Sequence, residues 1–458
     1  MKTKICSIKS NFIVLAIWGV IMSFMMPTWQ TPDEQTHLSS IGSSLRNEEM
    51  AQLLYDDMKL SRSKIQFHSD VKIDMQEWKE AVTKKPTYSR GDCMPKGISL
   101  KVITHLPATV GLLVGVALGL PTFWVMELAE LSALAFYLLI CYLAVMLVPV
   151  KKEVLLFLMA FPMAMQQACS INYDSELISL SFLLIAYTVK LYYEEERITW
   201  KNLLIWGAIL LLITYIKLPY IVFGILFFGL PFDKFHLKFG KWTMDGEWIH
   251  KYRWVLRTFI VLCVLGGYYL VRNNDYVVVA TVMCQEWKQT LKLMLQSVAT
   301  FHEYYMTSLV GCFGWLDSQV PKFFLYLTYG LMPLLIVIPW LSKNGKFPKA
   351  KQTIWMLITF VLLGFFITIS MVNHTITVTM FGQEMPFGTY DLRSALHMIP
   401  YIGGLQGRYY LPFFALPFFA IGKCQKEEKM VAWNGIILAY TLLAAITTLF
   451  VLYGRYWA

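Results

Sequence analysis

Apolar runs of nearly bilayer length recur along almost the whole chain, from residues 11–27 to residues 431–453. Such runs leave few folds open. A helix needs about 20 apolar residues to cross the hydrocarbon core. Only helices and closed barrels satisfy every backbone polar group inside it. The runs here are continuous and do not alternate, so the expected fold class is all-α, a polytopic membrane protein. Composition agrees, since 57% of the 458 residues are hydrophobic and only 15% are charged. The formal net charge is +10. In a membrane protein that excess gathers in short cytoplasmic loops, so it gives no reason to expect nucleic-acid binding. The eight cysteines are scattered with no CxxC pair, which leaves no zinc ribbon or redox motif. Cys93, Cys284 and Cys312 fall on the oxidising side, and their spacing designates no disulfide.

Charge sets an expected topology. Lys2, Lys4 and Lys9 precede the first apolar run, which places the N-terminus inside. No small-residue cleavage site follows, so the run reads as an uncleaved anchor. Residues 28–101 then form a long polar segment outside, an insertion rather than a connector. Residues 104–120 carry Pro107, Gly111, Gly115 and Gly119 and close on Pro121. They read as a re-entrant or interfacial helix, because counting them as a span would put Lys151 and Lys152 outside. About eleven spans result: 11–27, 123–149, 154–169, 175–193, 202–216, 220–232, 255–271, 322–340, 353–373, 408–422 and 431–453. The basic loops 234–257, 343–351 and 423–429 are then inside. The segments 272–320 and 374–407 are outside, as is the C-terminus. The whole chain, 1–458, is one integral membrane domain with no internal repeat. Neither GxxxxGK[ST] nor a GxGxxG after a strand occurs, so the energy for any reaction must arrive in the substrate.

Most candidate reactive residues fall on the outer side. Thr31-Pro32-Asp33-Glu34 reads as a helix start, with Thr31 as cap, Pro32 at the first position and Glu34 closing a capping box. A carboxylate so placed is also rigid enough to act as a general base. Asn172-Tyr173-Asp174-Ser175 precedes another apolar run. Asp174 or Ser175 would cap it, or Asp174 would face the same cavity as Asp33. Lys217 interrupts an apolar stretch before Leu218-Pro219-Tyr220. It would snorkel to the interface or meet a phosphate. Gly314-Trp315-Leu316-Asp317-Ser318 reads as an interfacial turn. In Gln406-Gly407-Arg408-Tyr409-Tyr410-Leu411-Pro412, the planar fork of Arg408 suits phosphate oxygens. His37, His302 and His374 lie on the same side, and no HExxH spacing joins them into a zinc site.

Taken together and in this order, these strings resemble the bacterial membrane family called domain of unknown function 2142, over about residues 12–420. That family is similar to the GT-C membrane glycosyltransferases. The resemblance implies a multi-pass protein of the bacterial cell membrane. It would transfer a sugar from a polyprenyl phosphate donor to an extracytoplasmic acceptor: a cell-surface glycan, a wall polymer or a protein. Asp33, with Glu34, would be the base. Arg408 and Lys217 would hold the donor phosphate. His37, Asn172, Asp174, Asp317, Gln406 and Tyr409 would position sugar or acceptor. One departure stands out. GT-C relatives often carry an arginine near the outer start of the second span, where this chain has Glu127 and Glu130. No cofactor is legible. A divalent ion, Mg or Mn, bridging carboxylates and phosphate would suit the chemistry. Two rival readings are a transporter or flippase of a lipid-linked glycan and a non-catalytic assembly subunit. The first predicts cargo movement without a new glycosidic bond, and the second predicts an Asp33 that can be replaced without effect.

Overall fold

The structure is a computed structural model that describes residues 2–62, 71–193, 196–240, 242–341, 347–382, 389–423 and 431–458. Lys241, Lys343, Lys346, Lys426 and Lys429, part of the basic loops set inside above, lie outside the described residues.

The chain is mostly helical. Among the described residues six stretches are long and apolar enough to cross a bilayer: Ile8–Met25, Leu100–Leu118, Thr122–Leu147, Asp174–Tyr193, Ala350–Phe381 and Gly435–Tyr456. Trp200–Ile216, Leu218–Gly229 and Lys322–Val337 are apolar but shorter. Five of the six coincide with expected spans, and the sixth, Leu100–Leu118, is the stretch read above as re-entrant; of the six expected spans left over, three fail for local causes. The run at 154–169 breaks into two helices around Phe161-Pro162, because proline forces the preceding residue out of the helical region. The run at 220–232 winds as a 3-10 helix over Leu218–Gly229. The run at 408–422 divides into a 3-10 helix, Gly407–Phe413, and a short α-helix, Leu416–Ala420, with Pro412 and Pro417 in the break.

Helix α1 (Lys2–Met25) leads into the insertion, whose helices are α2 (Glu34–Ser44), α3 (Glu48–Arg62) and α4 (Met75–Thr83). The insertion has its own apolar core. Trp29, Leu38, Ile41, Met50, Leu54 and Met58 pack with Leu112, Phe123 and Met126 of the next two helices, α5 (Leu106–Leu118) and α6 (Thr122–Leu147). One buried carboxylate ties the two layers. Asp57 of α3 accepts hydrogen bonds from Lys84 at 2.9 Å, Thr87 at 2.8 Å and Thr122 at 2.5 Å. Burial alone would raise its pKa, but these donors reverse that and hold it below the usual carboxylate value.

The glycines of α5 are close-approach positions. A Cβ at Gly115 would stand 2.8 Å from the Val125 Cα, and one at Gly111 would overlap the Leu128 carbonyl, so only glycine lets α5 lie against α6. Both ends of α5 touch the insertion. At one end Arg90 donates to the carbonyls of Ala117 and Leu118 at 3.4 and 3.5 Å. At the other, His105 stands 2.9 Å from His37.

Short helices α7 (Lys152–Met159) and α8 (Pro162–Ala168) precede α9 (Asp174–Tyr193) and α10 (Trp200–Ile216). Helix α9 is the centre of the molecule, with 89% of its apolar window covered by protein. It packs against α6, α8, α10 and the 3-10 helix Gly407–Phe413. The basic segment after residue 234 forms an antiparallel pair, β1 (His236–Phe239) and β2 (Trp242–Asp245), with Leu237 opposite Met244. It continues as α11 (Gly246–Lys251) and α12 (Arg253–Val271). Helices α13 (Asp275–Gln285) and α14 (Trp287–Val310) occupy much of the segment 272–320. That segment closes in a tight turn between β3 (Cys312–Phe313) and β4 (Ser318–Gln319), where Gly314 and Leu316 take positive φ. Then follow α15 (Lys322–Leu341), α16 (Ala350–Ser370), α17 (Val372–Phe381), α18 (Leu392–Met398), α19 (Leu416–Ala420) and α20 (Val431–Tyr456), the last packed on α1. Cys93, Cys284 and Cys312 are free thiols.

Candidate functional site

Arg408 sits where four separated segments meet. Its position is fixed by the residue before it. A Cβ at Gly407 would overlap the backbone of Tyr305 and Leu309, and the Gly407 amide donates to Ser308 Oγ at 2.7 Å. The chain therefore runs flush against α14, and the next side chain turns inward, where only 5% of it is exposed. Arg408 Nη1 donates to Gln167 Oε1 at 3.2 Å. Its Nη2 lies 3.9 Å from Asp33 Oδ2, and its Nε lies 4.0 Å from Asp174 Oδ2. These two carboxylates are beyond hydrogen-bond distance. Among the described residues the buried Nε makes no hydrogen bond.

Asp33 is presented unusually. It occupies the cap position of α2 with φ 68° and ψ 4°, a left-handed conformation that costs a non-glycine residue roughly 1 kcal/mol. Its side chain makes no cap hydrogen bond and is 61% exposed. Thr31 is thus not the cap expected from sequence, and the capping box does not form. Glu34 turns inward instead. One oxygen accepts the Trp29 amide at 2.6 Å, the other the Ile171 amide at 3.3 Å. Glu34 pins the first motif to the Asn172 motif and leaves Asp33 as the accessible carboxylate.

The cap of α9 is likewise neither Asp174 nor Ser175. Asn172 Oδ1 accepts their amides at 2.7 and 3.2 Å, while its Nδ2 donates to Gln167 Oε1 at 3.3 Å. That frees the Asp174 carboxylate to face Arg408. Lys217 stands at the join between α10 and the 3-10 helix. Its Nζ lies 4.5 Å from the Tyr409 ring centre and 5.7 Å from that of Tyr173, within cation–π range. The same two strings are tied by Tyr220 Oη, which donates to the Tyr409 carbonyl at 2.9 Å.

His37 Nδ1 and His105 Nε2 are 2.9 Å apart, and Thr104 Oγ1 is 2.9 Å from His105 Nδ1. The His37 ring meets Tyr173 edge-on at 4.9 Å. Burial, and then the charges of Arg408 and Lys217, lower the His37 pKa to about 4. At neutral pH His37 is therefore an uncharged hydrogen-bonding group beside two cations.

Asp317 lies elsewhere. It accepts from Arg455 Nε at 2.9 Å, and its string meets the first motif through Trp315 Nε1, which donates to the Trp29 carbonyl at 2.9 Å. The backbone carbonyl of Gln406 accepts the Tyr409 amide, and its buried Oε1 has no hydrogen-bond partner among the described residues. Glu127 and Glu130 both accept from Ser23 Oγ of α1, at 2.7 and 3.4 Å. Among the described residues no three His, Cys, Asp or Glu side chains converge to hold a metal. The place between Asp33 and Asp174 belongs to the guanidinium. Sequence reasoning missed His105, Gln167 and Tyr173. Tyr173 stood inside a quoted motif, but nothing in the spacing joins His105 to His37.

The assembled site offers a fork donor, an ammonium, a neutral imidazole pair and one accessible carboxylate. Such a set has the chemistry to bind an oxyanion and to accept a proton beside it. Neither a curated protein nor a solved structure matches the chain. The model of a predicted membrane protein family, DUF2142, matches residues 15–416, and the chain belongs to that family.

Proposed function

We propose that this protein is a membrane glycosyltransferase of GT-C type, taking a sugar from a polyprenyl phosphate donor at the outer face of a bacterial cell membrane. The observation that carries the reading is the position of Arg408, buried between Asp33 and Asp174 with no hydrogen bond on Nε among the described residues, and sharing the Tyr409 ring with Lys217. The donor phosphate rests on Arg408 and Lys217. Asp33 accepts the proton of an acceptor hydroxyl as that oxygen bonds to the anomeric carbon. The bond from that carbon to the phosphate oxygen breaks, and its electron pair leaves with the lipid phosphate. Arg408 and Lys217 stabilise the charge that develops there. His37 and Tyr173 line the approach. The topology that accompanies this reading has about eleven spans, the N-terminus inside and the C-terminus outside. A re-entrant α5 is supported by its contacts with the insertion at both ends.

The test is transfer of label from a polyprenyl phosphate sugar to extracted cell-surface acceptors by the purified chain. Label should appear in a new glycosidic bond, and Asp33→Asn should abolish it. Lipid movement with no new bond would instead make the protein a flippase, and undiminished transfer by Asp33→Asn would remove the assigned base.

A further inference from the structure

Two separate apolar grooves are lined by the chain neighbours of the two site cations, and one donor lipid accounts for only one of them. The first, about 670 Å³, begins at Leu218 and Pro219, directly after Lys217, and runs between Val271, Ala280 and Phe366. The second, about 580 Å³, is lined by Gly407 and Tyr410, which flank Arg408 and Tyr409, and by Tyr305, Val361 and Gly364. Helix α16 is the wall between them. Val361, Gly364, Phe365 and Thr368 face the second groove at helical spacing, while Phe366 and Ile369 face the first. Both grooves have exposed apolar rims, Ile221 and Tyr268 on one and Val298 and Val361 on the other. In a membrane such rims face lipid chains. Both volumes suit small-molecule ligands, typically about 300–1,000 Å³.

Resting on the function proposed above, we infer that the acceptor is itself lipid-anchored. The first groove holds the isoprenoid tail of the donor, whose phosphate enters past Lys217 and rests on Lys217 and Arg408. The second holds the chain of a glycolipid acceptor, whose sugar hydroxyl comes to Asp33 past Arg408. The charges favour this assignment. Lys217 adjoins the first groove and is the more accessible cation, whereas Arg408 beside the second is almost wholly covered and flanked by carboxylates. The second groove also carries a hydroxyl, Tyr305 Oη, that is buried and without a hydrogen bond among the described residues.

The test uses the full chain in lipid nanodiscs with two photoreactive probes, a polyprenyl phosphate and a glucosyl diacylglycerol, each carrying a diazirine on its chain. The polyprenyl phosphate should cross-link to peptides within 218–222 and 268–285, and the glycolipid to peptides within 294–309 and 361–368. Ala280→Trp should reduce only the first labelling and Gly364→Trp only the second, each at least tenfold. Val361→Trp, on the open rim, serves if Gly364→Trp does not fold. If the glycolipid leaves the second groove unlabelled while transfer proceeds to a water-soluble acceptor, the inference falls and the glycosyltransferase reading stands. If the polyprenyl phosphate labels neither groove, both fall.

Discussion

Arg408 and Asp33 divide the work of the site between a buried fork and an exposed carboxylate. Replacing Arg408 by lysine keeps the charge but loses the planar donor set. Arg408→Lys should therefore lower kcat/KM by roughly tenfold or more, about 1.4 kcal/mol, with the melting temperature little changed. Asp33 separates stability from activity. Its left-handed backbone suits glycine, so Asp33→Gly should hold or raise thermal stability, by about 1 kcal/mol at most, while transfer is lost. A simultaneous fall in both would make Asp33 a structural residue. His37 gives a pH signature. Its folded pKa, about 4, is below the ordinary value of 6.5, so the unfolded chain takes up a proton first as pH falls. Stability contributed by neutral His37 is full above pH 6.5 and is lost progressively down to about 4. Thermal melts of His37→Gln across that window should show a shallower acid loss than the parent protein. At this scale Asp33, Asp174, Lys217 and Arg408 were legible as candidates because each interrupts or borders an apolar run. His105 and Gln167 were not, since an isolated polar residue carries no sign of the partner that the fold brings to it.

The elements explain how these residues are held. Gly407 lets the 3-10 segment lie on the backbone of α14, so Gly407→Ala should lower the melting temperature markedly. Gly364→Ala, whose added carbon would stand 3.5 Å from Tyr410, should be close to neutral. Equal effects would mean that the close approach at Gly407 does not hold the site. Helix starts were read from sequence in the right places but with the wrong caps. Thr31 yields to Asp33 and Asp174 yields to Asn172, because Glu34 and Asn172 are each drawn to backbone amides or amide groups that only the folded chain supplies. Most long apolar runs gave unbroken helices, and α15 runs on through Pro333. Around Pro162, Pro219 and Pro412 the runs broke, and hydrophobicity alone does not reveal where a broken helix remains useful.

At the scale of the molecule, membrane character and helical class were legible in composition and run length. The insertion 28–101 was legible as a unit, but its packing was not. It read only as a long polar segment, yet its Asp57 is a buried junction between α3, α4 and α6. How distant motifs meet cannot be read from spacing, because α9 brings together residues more than two hundred positions apart. Asp33, Asp174, Lys217 and Arg408 are proposed to form one phosphate-binding, proton-accepting site. The most direct measurement is an experimental structure of the full chain with a polyprenyl phosphate bound. Phosphate density should lie within hydrogen-bond reach of Arg408 and Lys217, with Asp33 open beside it. Phosphate density at the far end of the molecule, around Lys151 or Lys351, with Arg408 left to its protein partners, would contradict it.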